Sequence, residues 1–307
     1  MFEYQTSPIF CSDCDRRAAA IAWRGGGRTM VKLVFVDMDG TFLDSHKAID
    51  EKNERALSQA DELGVQFVPC TGRNINGVPA QMMAHDCVKY AICCNGALVC
   101  DANSMEVLHE VALEKSLVAS LYDQVKDLPV TFDLFADGKV YTFADRWRYL
   151  DEMGIDEPTR VQIKAVRERY DGSFEGLLAS CGSVCRINVF YLDESSKQQV
   201  WDVVDANPSL LRTSSLPTNI EITDVDAHKG AGLAWLCDHL GIDVADTVAF
   251  GDSGNDLTML EAAGDGVAMA NSLPCALEAA DHVTKSCDES GVAAYLEPLF
   301  LDLRNNH

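Results

Sequence analysis

Apolar and polar positions follow two different rhythms along this chain. Leu33-Val34-Phe35-Val36 is an unbroken apolar run, the pattern of a strand buried on both faces. Glu51 to Leu63 carries apolar Ala56, Leu57, Ala60 and Leu63 at helical spacing, and Gly64 supplies a stop. Gln66 to Cys70 and Tyr90 to Cys94 read as further strands. The rhythm returns near the C-terminus, with helices over Lys229 to Leu240 and Asn255 to Ala262 and strands over Thr247 to Phe250 and Gly266 to Met269. Strand–helix alternation of this kind predicts an α/β core, a Rossmann-like, doubly wound parallel sheet with helices on both faces.

Between Asp101 and Pro217 the pattern changes. Val130 to Ala136 and Lys139 to Phe143 are predicted strands joined by Asp137-Gly138, a hairpin signal. Arg186 to Leu192 is another predicted strand, and helices are expected over Leu117 to Lys126, Arg160 to Tyr170 and Ser195 to Ala206. The expectation is an α+β module at 101–217 inserted into a core made of 30–100 and 218–307. Residues 1–29 look foreign to that fold, either a flexible extension or the result of a start codon assigned too early.

The chain has 307 residues and a formal net charge of −23, which argues against a general affinity for nucleic acid or anionic lipid. No apolar stretch approaches the roughly 18 residues of a membrane span. The twelve cysteines are scattered, so reduced thiols in a cytoplasmic protein are expected. Cys11-x-x-Cys14 has metal or redox spacing, but no second pair follows it. An anionic substrate would need a local positive pocket built from a metal and a few basic side chains.

Candidate chemistry gathers at the ends of the predicted core strands, where open parallel sheets bind ligands. Asp37 and Asp39 follow the first strand and point the same way along an extended segment, and Gly40 lets the chain turn. Two adjacent carboxylates repel each other, and Mg²⁺ is the natural ion to sit between them. In isolation such a pair is better explained as a solvated turn or helix cap, and the buried apolar strand leading into it weighs against that reading. Thr71-Gly72-Arg73 after the second strand offers a hydroxyl, backbone N–H groups and a guanidinium. Lys229 opens a helix against its dipole and asks for an anion. Gly251-Asp252-Ser253-Gly254-Asn255-Asp256 forms a second acidic cluster on a glycine-rich turn.

Taken together and in this order, these motifs resemble the haloacid dehalogenase superfamily, in particular its Cof-like type IIB phosphatases, from Met30 to about Phe300. Cys94-Asn95-Gly96-Ala97 also resembles the segment by which that group enters its cap, and the insert has the length of a C2-type cap. The resemblance implies that Asp37 is the nucleophile forming an aspartyl-phosphate and that Asp39 is the acid and base. It implies Mg²⁺ on the Asp37 carboxylate, the Asp39 carbonyl and Asp252. Thr71 and Lys229 would stabilise the transferring phosphoryl group, and Gly72, Arg73 and Asn255 would meet the substrate. Asp256 would orient Lys229 or a metal-bound water. Asp224, Asp226 and His228 make an unusually acidic approach to Lys229, with His228 a candidate to reach the site. The expected partner is a small organic phosphate, a sugar or cofactor phosphate; phosphomutase transfer and non-catalytic phosphometabolite binding are the alternatives. The oligomeric state is not legible.

Overall fold

The computed structural model describes residues 31–214 and 216–306. The N-terminal segment 1–29, with Cys11 and Cys14, lies outside the described residues. From the start the chain runs β1 (Leu33–Val36), α1 (Glu51–Leu63), β2 (Gln66–Pro69), α2 (Ala80–Met83), β3 (Tyr90–Cys93), β4 (Leu98–Asp101) and β5 (Val107–Glu110). There follow α3 (Lys115–Val125), β6 (Asp133–Ala136), β7 (Lys139–Phe143), α4 (Tyr149–Glu152), α5 (Glu157–Ala165), β8 (Glu168–Tyr170), α6 (Phe174–Ser180), β9 (Arg186–Phe190), α7 (Glu194–Asp205), β10 (Leu210–Thr213) and β11 (Asn219–Asp224). The chain closes with α8 (Lys229–Leu240), β12 (Thr247–Gly251), α9 (Leu257–Ala262), β13 (Asp265–Ala268), α10 (Pro274–Ala279), β14 (His282–Val283) and α11 (Gly291–Asn306).

The core is a five-stranded parallel sheet in the order β14-β13-β12-β1-β2. Both β1 and β12 are buried along their whole length, as their unbroken apolar runs require. Val34, Val36 and Phe67 pack under α1 and α11, through Leu57, Leu296 and Phe300. Leu33, Phe35 and Ala249 face the other way, onto Leu233 and Leu236 of α8. Asp50 caps α1 by accepting from the Lys52 and Asn53 amides, and Gly64 ends it at φ 68°.

The strand expected over Tyr90 to Cys94 departs from simple parallel order. β3 meets β2 at one parallel bridge, Cys70 with Ile92, and otherwise pairs antiparallel with β4, which pairs with β5. Proline explains the break. The Phe67 amide donates to the Cys87 carbonyl and the Thr71 amide to Ile92, but Pro69 between them has no N–H to offer.

The second unit is a six-stranded sheet, β10-β11-β9-β6-β7-β8, the cap of this α/β fold. Asp137 and Gly138 both take positive φ, 52° and 75°, the left-handed pair that a two-residue hairpin between β6 and β7 needs. One sheet face is apolar: Leu134, Ile187, Val189 and Ile220 pack on Val118, Leu121, Val200 and Val204 of α3 and α7. The expected helix Arg160 to Tyr170 stops at Ala165, and Glu168–Tyr170 becomes a strand paired with β7. Arg167 is drawn in between them to meet the buried carboxylate of Asp133, Nε to Oδ2 at 3.0 Å. A charge fully removed from water needs such a partner. The strand β11, which follows Pro217, pairs within this cap sheet.

Candidate active site

The carboxyl ends of β1, β2 and β12 and the start of α8 converge on one point. Asp37 leaves β1 with its amide held by the Phe250 carbonyl at 2.9 Å. Gly40 follows at φ 89°, and a Cβ there would fall 2.7 Å from Asp252 Oδ2. Glycine therefore serves two purposes, the left-handed turn and the close approach of the β12 loop. Thr41 donates to Asp252 Oδ1 at 2.9 Å.

Lys229 is completely buried between two carboxylates, with Nζ 2.5 Å from Asp37 Oδ1 and 2.6 Å from Asp256 Oδ1. A lysine in the first turn of a helix opposes the helix dipole; here two anions compensate it. Burial alone would depress the ammonium pKa, but Asp256 and Asp37 outweigh it and drive the pKa above its ordinary range. The other oxygen of Asp256 accepts from the Asp252 and Ser253 amides, both at 2.9 Å. Asp256 thus ties the turn after β12 to Lys229.

Asp37, Asp252 and Asp256 bring carboxylate oxygens within 4.8 Å of one another. Burial raises the Asp37 pKa well above the usual carboxylate range, with Asp256 and Asp252 adding to the rise against the pull of Lys229. Burial, then Asp256, pushes Asp252 up to about 6. Three closely spaced acids with one lysine among them leave an excess of negative charge, and every donor is a hard oxygen. The set fits a small divalent cation such as Mg²⁺.

Asp39 has a different environment. Its side chain is gripped by Arg73, Nη2 to Oδ1 at 2.6 Å and Nε to Oδ2 at 2.9 Å, and Lys47 Nζ lies 2.8 Å from Oδ1. Burial pushes its pKa up, yet Arg73 and Lys47 together bring it below the ordinary value. Thr71 is buried, and its hydroxyl accepts from the Arg73 amide at 3.1 Å.

Asn255 donates to Asn95 Oδ1 at 3.1 Å, and Asn95 Nδ2 in turn donates to Glu221 Oε2 of the cap at 2.5 Å. Cys94, Asn95 and Gly96 take successive positive φ values of 51°, 59° and 103°, a strained turn that aims the Asn95 side chain inward. Sequence reasoning did not name Asn95, Glu221 or Lys47 as site residues. The Asn-Gly pair was the one local signal available, since asparagine tolerates left-handed backbone better than other side chains. His228 does not reach the site: its Nδ1 accepts from the Ala231 amide at 3.0 Å, capping α8.

Fold and site together define a class. The model of the haloacid dehalogenase-like hydrolases matches residues 34–296. The chain belongs to that superfamily of hydrolases. It is 34% identical over 280 residues to YxeH of Bacillus subtilis, one of several relatives named as phosphatases, covering 89% of this chain and 99% of that one. It is 27% identical over 283 residues to the 5-amino-6-(5-phospho-D-ribitylamino)uracil phosphatase YwtE of Bacillus subtilis, covering 88% and 98%. The solved structure of the subclass IIB sugar phosphatase BT4131 shares the fold, with a TM-score of 0.72, 23% identity, and 87% and 98% of the two chains covered. Among the described residues no helix is long and apolar enough to cross a membrane.

Proposed function

We propose that this chain is a Mg²⁺-dependent phosphatase that hydrolyses a small organic phosphate monoester through an aspartyl-phosphate on Asp37. The observation that carries the reading is the placement of Asp37 at the end of a buried strand, 2.5 Å from the Lys229 ammonium and among acids suited to a cation. Asp37 attacks phosphorus as a carboxylate, forming an O–P bond while the alkoxide departs. Asp39 gives that alkoxide its proton, then takes one from the water that cleaves the acyl phosphate, so that inorganic phosphate leaves and Asp37 is restored. Lys229 and the Thr71 hydroxyl stabilise the charge on the transferring group. Gly72, Arg73 and Asn255 meet the substrate, and Asp256 holds Lys229 in place. The carboxylates of Asp37 and Asp252 and the Asp39 carbonyl are the groups to hold Mg²⁺, which supplies positive charge that screens the nucleophile from the phosphoryl oxygens.

The cap is proposed as the element that closes over the core and excludes water. Its expected limits of 101–217 are extended in this reading to take in β11. A cytoplasmic setting suits ten free cysteines among the described residues. The test is a phosphate-release screen over sugar, nucleotide and cofactor phosphates. Release that needs Mg²⁺, stops with EDTA and disappears in Asp37→Asn supports the reading; no release from any ester, with p-nitrophenyl phosphate included, overturns it. Isomerised sugar phosphate with little free phosphate would instead indicate a mutase.

A further inference from the structure

Away from the carboxyl ends of the core strands, a second group of ligand-type side chains meets where α1 passes the loop before β3. Asp61 of α1 and His85 and Cys87 of that loop bring a carboxylate oxygen, an imidazole nitrogen and a thiol sulfur within 4.8 Å of one another. His85 Nδ1 lies 2.9 Å from Asp61 Oδ2, and its Nε2 lies 3.0 Å from Glu54 Oε1. Glu54 is held in turn by Gln81, Nε2 to Oε2 at 2.7 Å. The other oxygen of Asp61 accepts from the Cys87 amide at 2.6 Å, which fixes the carboxylate beside the buried thiol.

A metal-bound histidine characteristically donates its second ring N–H to a carboxylate, and Glu54 is placed to receive it. With Nε2–H given to Glu54, Nδ1 turns a lone pair toward the Asp61 oxygen. Two acceptors facing each other need a proton or a metal ion between them. A proton fills that place in the metal-free protein. An independent observation comes from the adjoining cleft of about 150 Å³, which Asp61, Cys87 and Gln66 line together. Gln66 Oε1 is buried and has no hydrogen-bond partner, so an acceptor stands unused beside the thiol and the carboxylate.

We propose that Asp61, His85 and Cys87 form a Zn²⁺ site, separate from the all-oxygen set at Asp37 and Asp252, with water in the fourth position. One nitrogen, one sulfur and one oxygen suit Zn²⁺ and not Mg²⁺. Tetrahedral ligand atoms on Zn²⁺ lie about 3.3–3.6 Å apart, a spacing these side chains reach by small rotations. Binding displaces the Cys87 thiol proton and the proton between His85 and Asp61 into solvent. The cleft has room for the metal-bound water, and Gln66 offers that water an acceptor. The Phe67 amide donates to the Cys87 carbonyl, so the metal braces β2, the edge strand of the parallel sheet, against α1.

The test uses the full chain carrying Cys11→Ser and Cys14→Ser, so that those thiols contribute nothing. The protein is stripped with chelator, placed in excess Mg²⁺ and titrated with Co²⁺. A single equivalent should give the near-ultraviolet thiolate-to-cobalt band and the visible bands of tetrahedral Co²⁺, and Zn²⁺ should displace it. Cys87→Ser should abolish the thiolate band, whereas Glu54→Gln should keep it and weaken binding by about tenfold or more. No thiolate band at one equivalent, or a band that survives Cys87→Ser, overturns the site. Should Cys87→Ser fail to fold, His85→Gln decides: a loss of tenfold or more in Co²⁺ affinity supports the site, and unchanged affinity overturns it. Zn²⁺ should also raise Tm, and binding without a rise overturns the bracing role.

Discussion

Arg73 grips Asp39 with two parallel hydrogen bonds, and Lys47 adds a third contact from the same β1–α1 loop that carries Asp39. The pair keeps Asp39 ionised, whereas an acid that protonates a leaving group must carry a proton. In Arg73→Ala the Asp39 pKa rises, so the alkaline limb of the kcat/KM profile should move to higher pH. The maximum itself should fall by tenfold or more, because the substrate contact proposed for Arg73 is lost. A pH–rate series on p-nitrophenyl phosphate checks both. An unmoved limb would separate Asp39 from the titrating acid.

Lys229 has no water to fall back on. Replacing it with methionine leaves Asp37 and Asp256 buried without their counter-charge, a loss of about 3–5 kcal/mol for a broken buried pair. Lys229→Met should therefore unfold at markedly lower urea concentration than wild type. Asp37→Asn, which keeps the shape and removes the proposed nucleophile, should stay within about 1.5 kcal/mol of wild type. Activity should nonetheless fall by roughly a thousandfold or more.

Asp252 and the metal should be linked through pH. Its folded pKa, about 6, lies above its unfolded value, so the folded state holds more protons between the two. Without metal, the stability from this group is fully present below the unfolded pKa and is lost as pH rises through about 6. Mg²⁺ competes with that proton. Added Mg²⁺ should raise Tm more at pH 7.5 than at pH 5, with about 2.7 kcal/mol expected at a hundred times Kd. Thermal melts at both pH values, with and without EDTA, read this directly; equal shifts at both would remove Asp252 from the metal set.

A second titrating cluster lies away from the site. His85 presents Nδ1 to Asp61 at 2.9 Å and Nε2 to Glu54 at 3.0 Å, stapling the loop before β3 to α1. Burial lowers its pKa, but hydrogen bonds to Glu54 and Asp61 outweigh that and raise it above the ordinary histidine value. The stabilisation is present below the unfolded pKa and is lost as pH rises through the folded one. The Tm difference between wild type and His85→Gln should accordingly shrink with rising pH. A constant difference from pH 6 to 9 would contradict the staple.

Much of this was legible along the chain because the signals are local. β1 and the Asp-x-Asp-Gly turn, α1 with its terminal glycine, and α8 opening at Lys229 each depend on a few adjacent residues. What escaped depends on partners far away in sequence. The end of α5 is set by Asp133, 34 positions before Arg167, and the break between β2 and β3 follows from which way Pro69 faces. Glu221 enters the site only because the cap sheet lands on Gly72, where it meets Asn95. His228 read as a possible reactive group and is a helix cap, a role fixed by its backbone at φ −141°.

All six strands of the cap sheet come from one uninterrupted stretch, Asp133 to Asp224, and every strand of the parallel sheet lies outside it. The residues proposed to carry the chemistry, Asp37, Asp39, Thr71, Lys229 and Asp252, all lie outside that stretch. On the proposed reading, drift within that stretch would reshape what the cap encloses while leaving those residues in place.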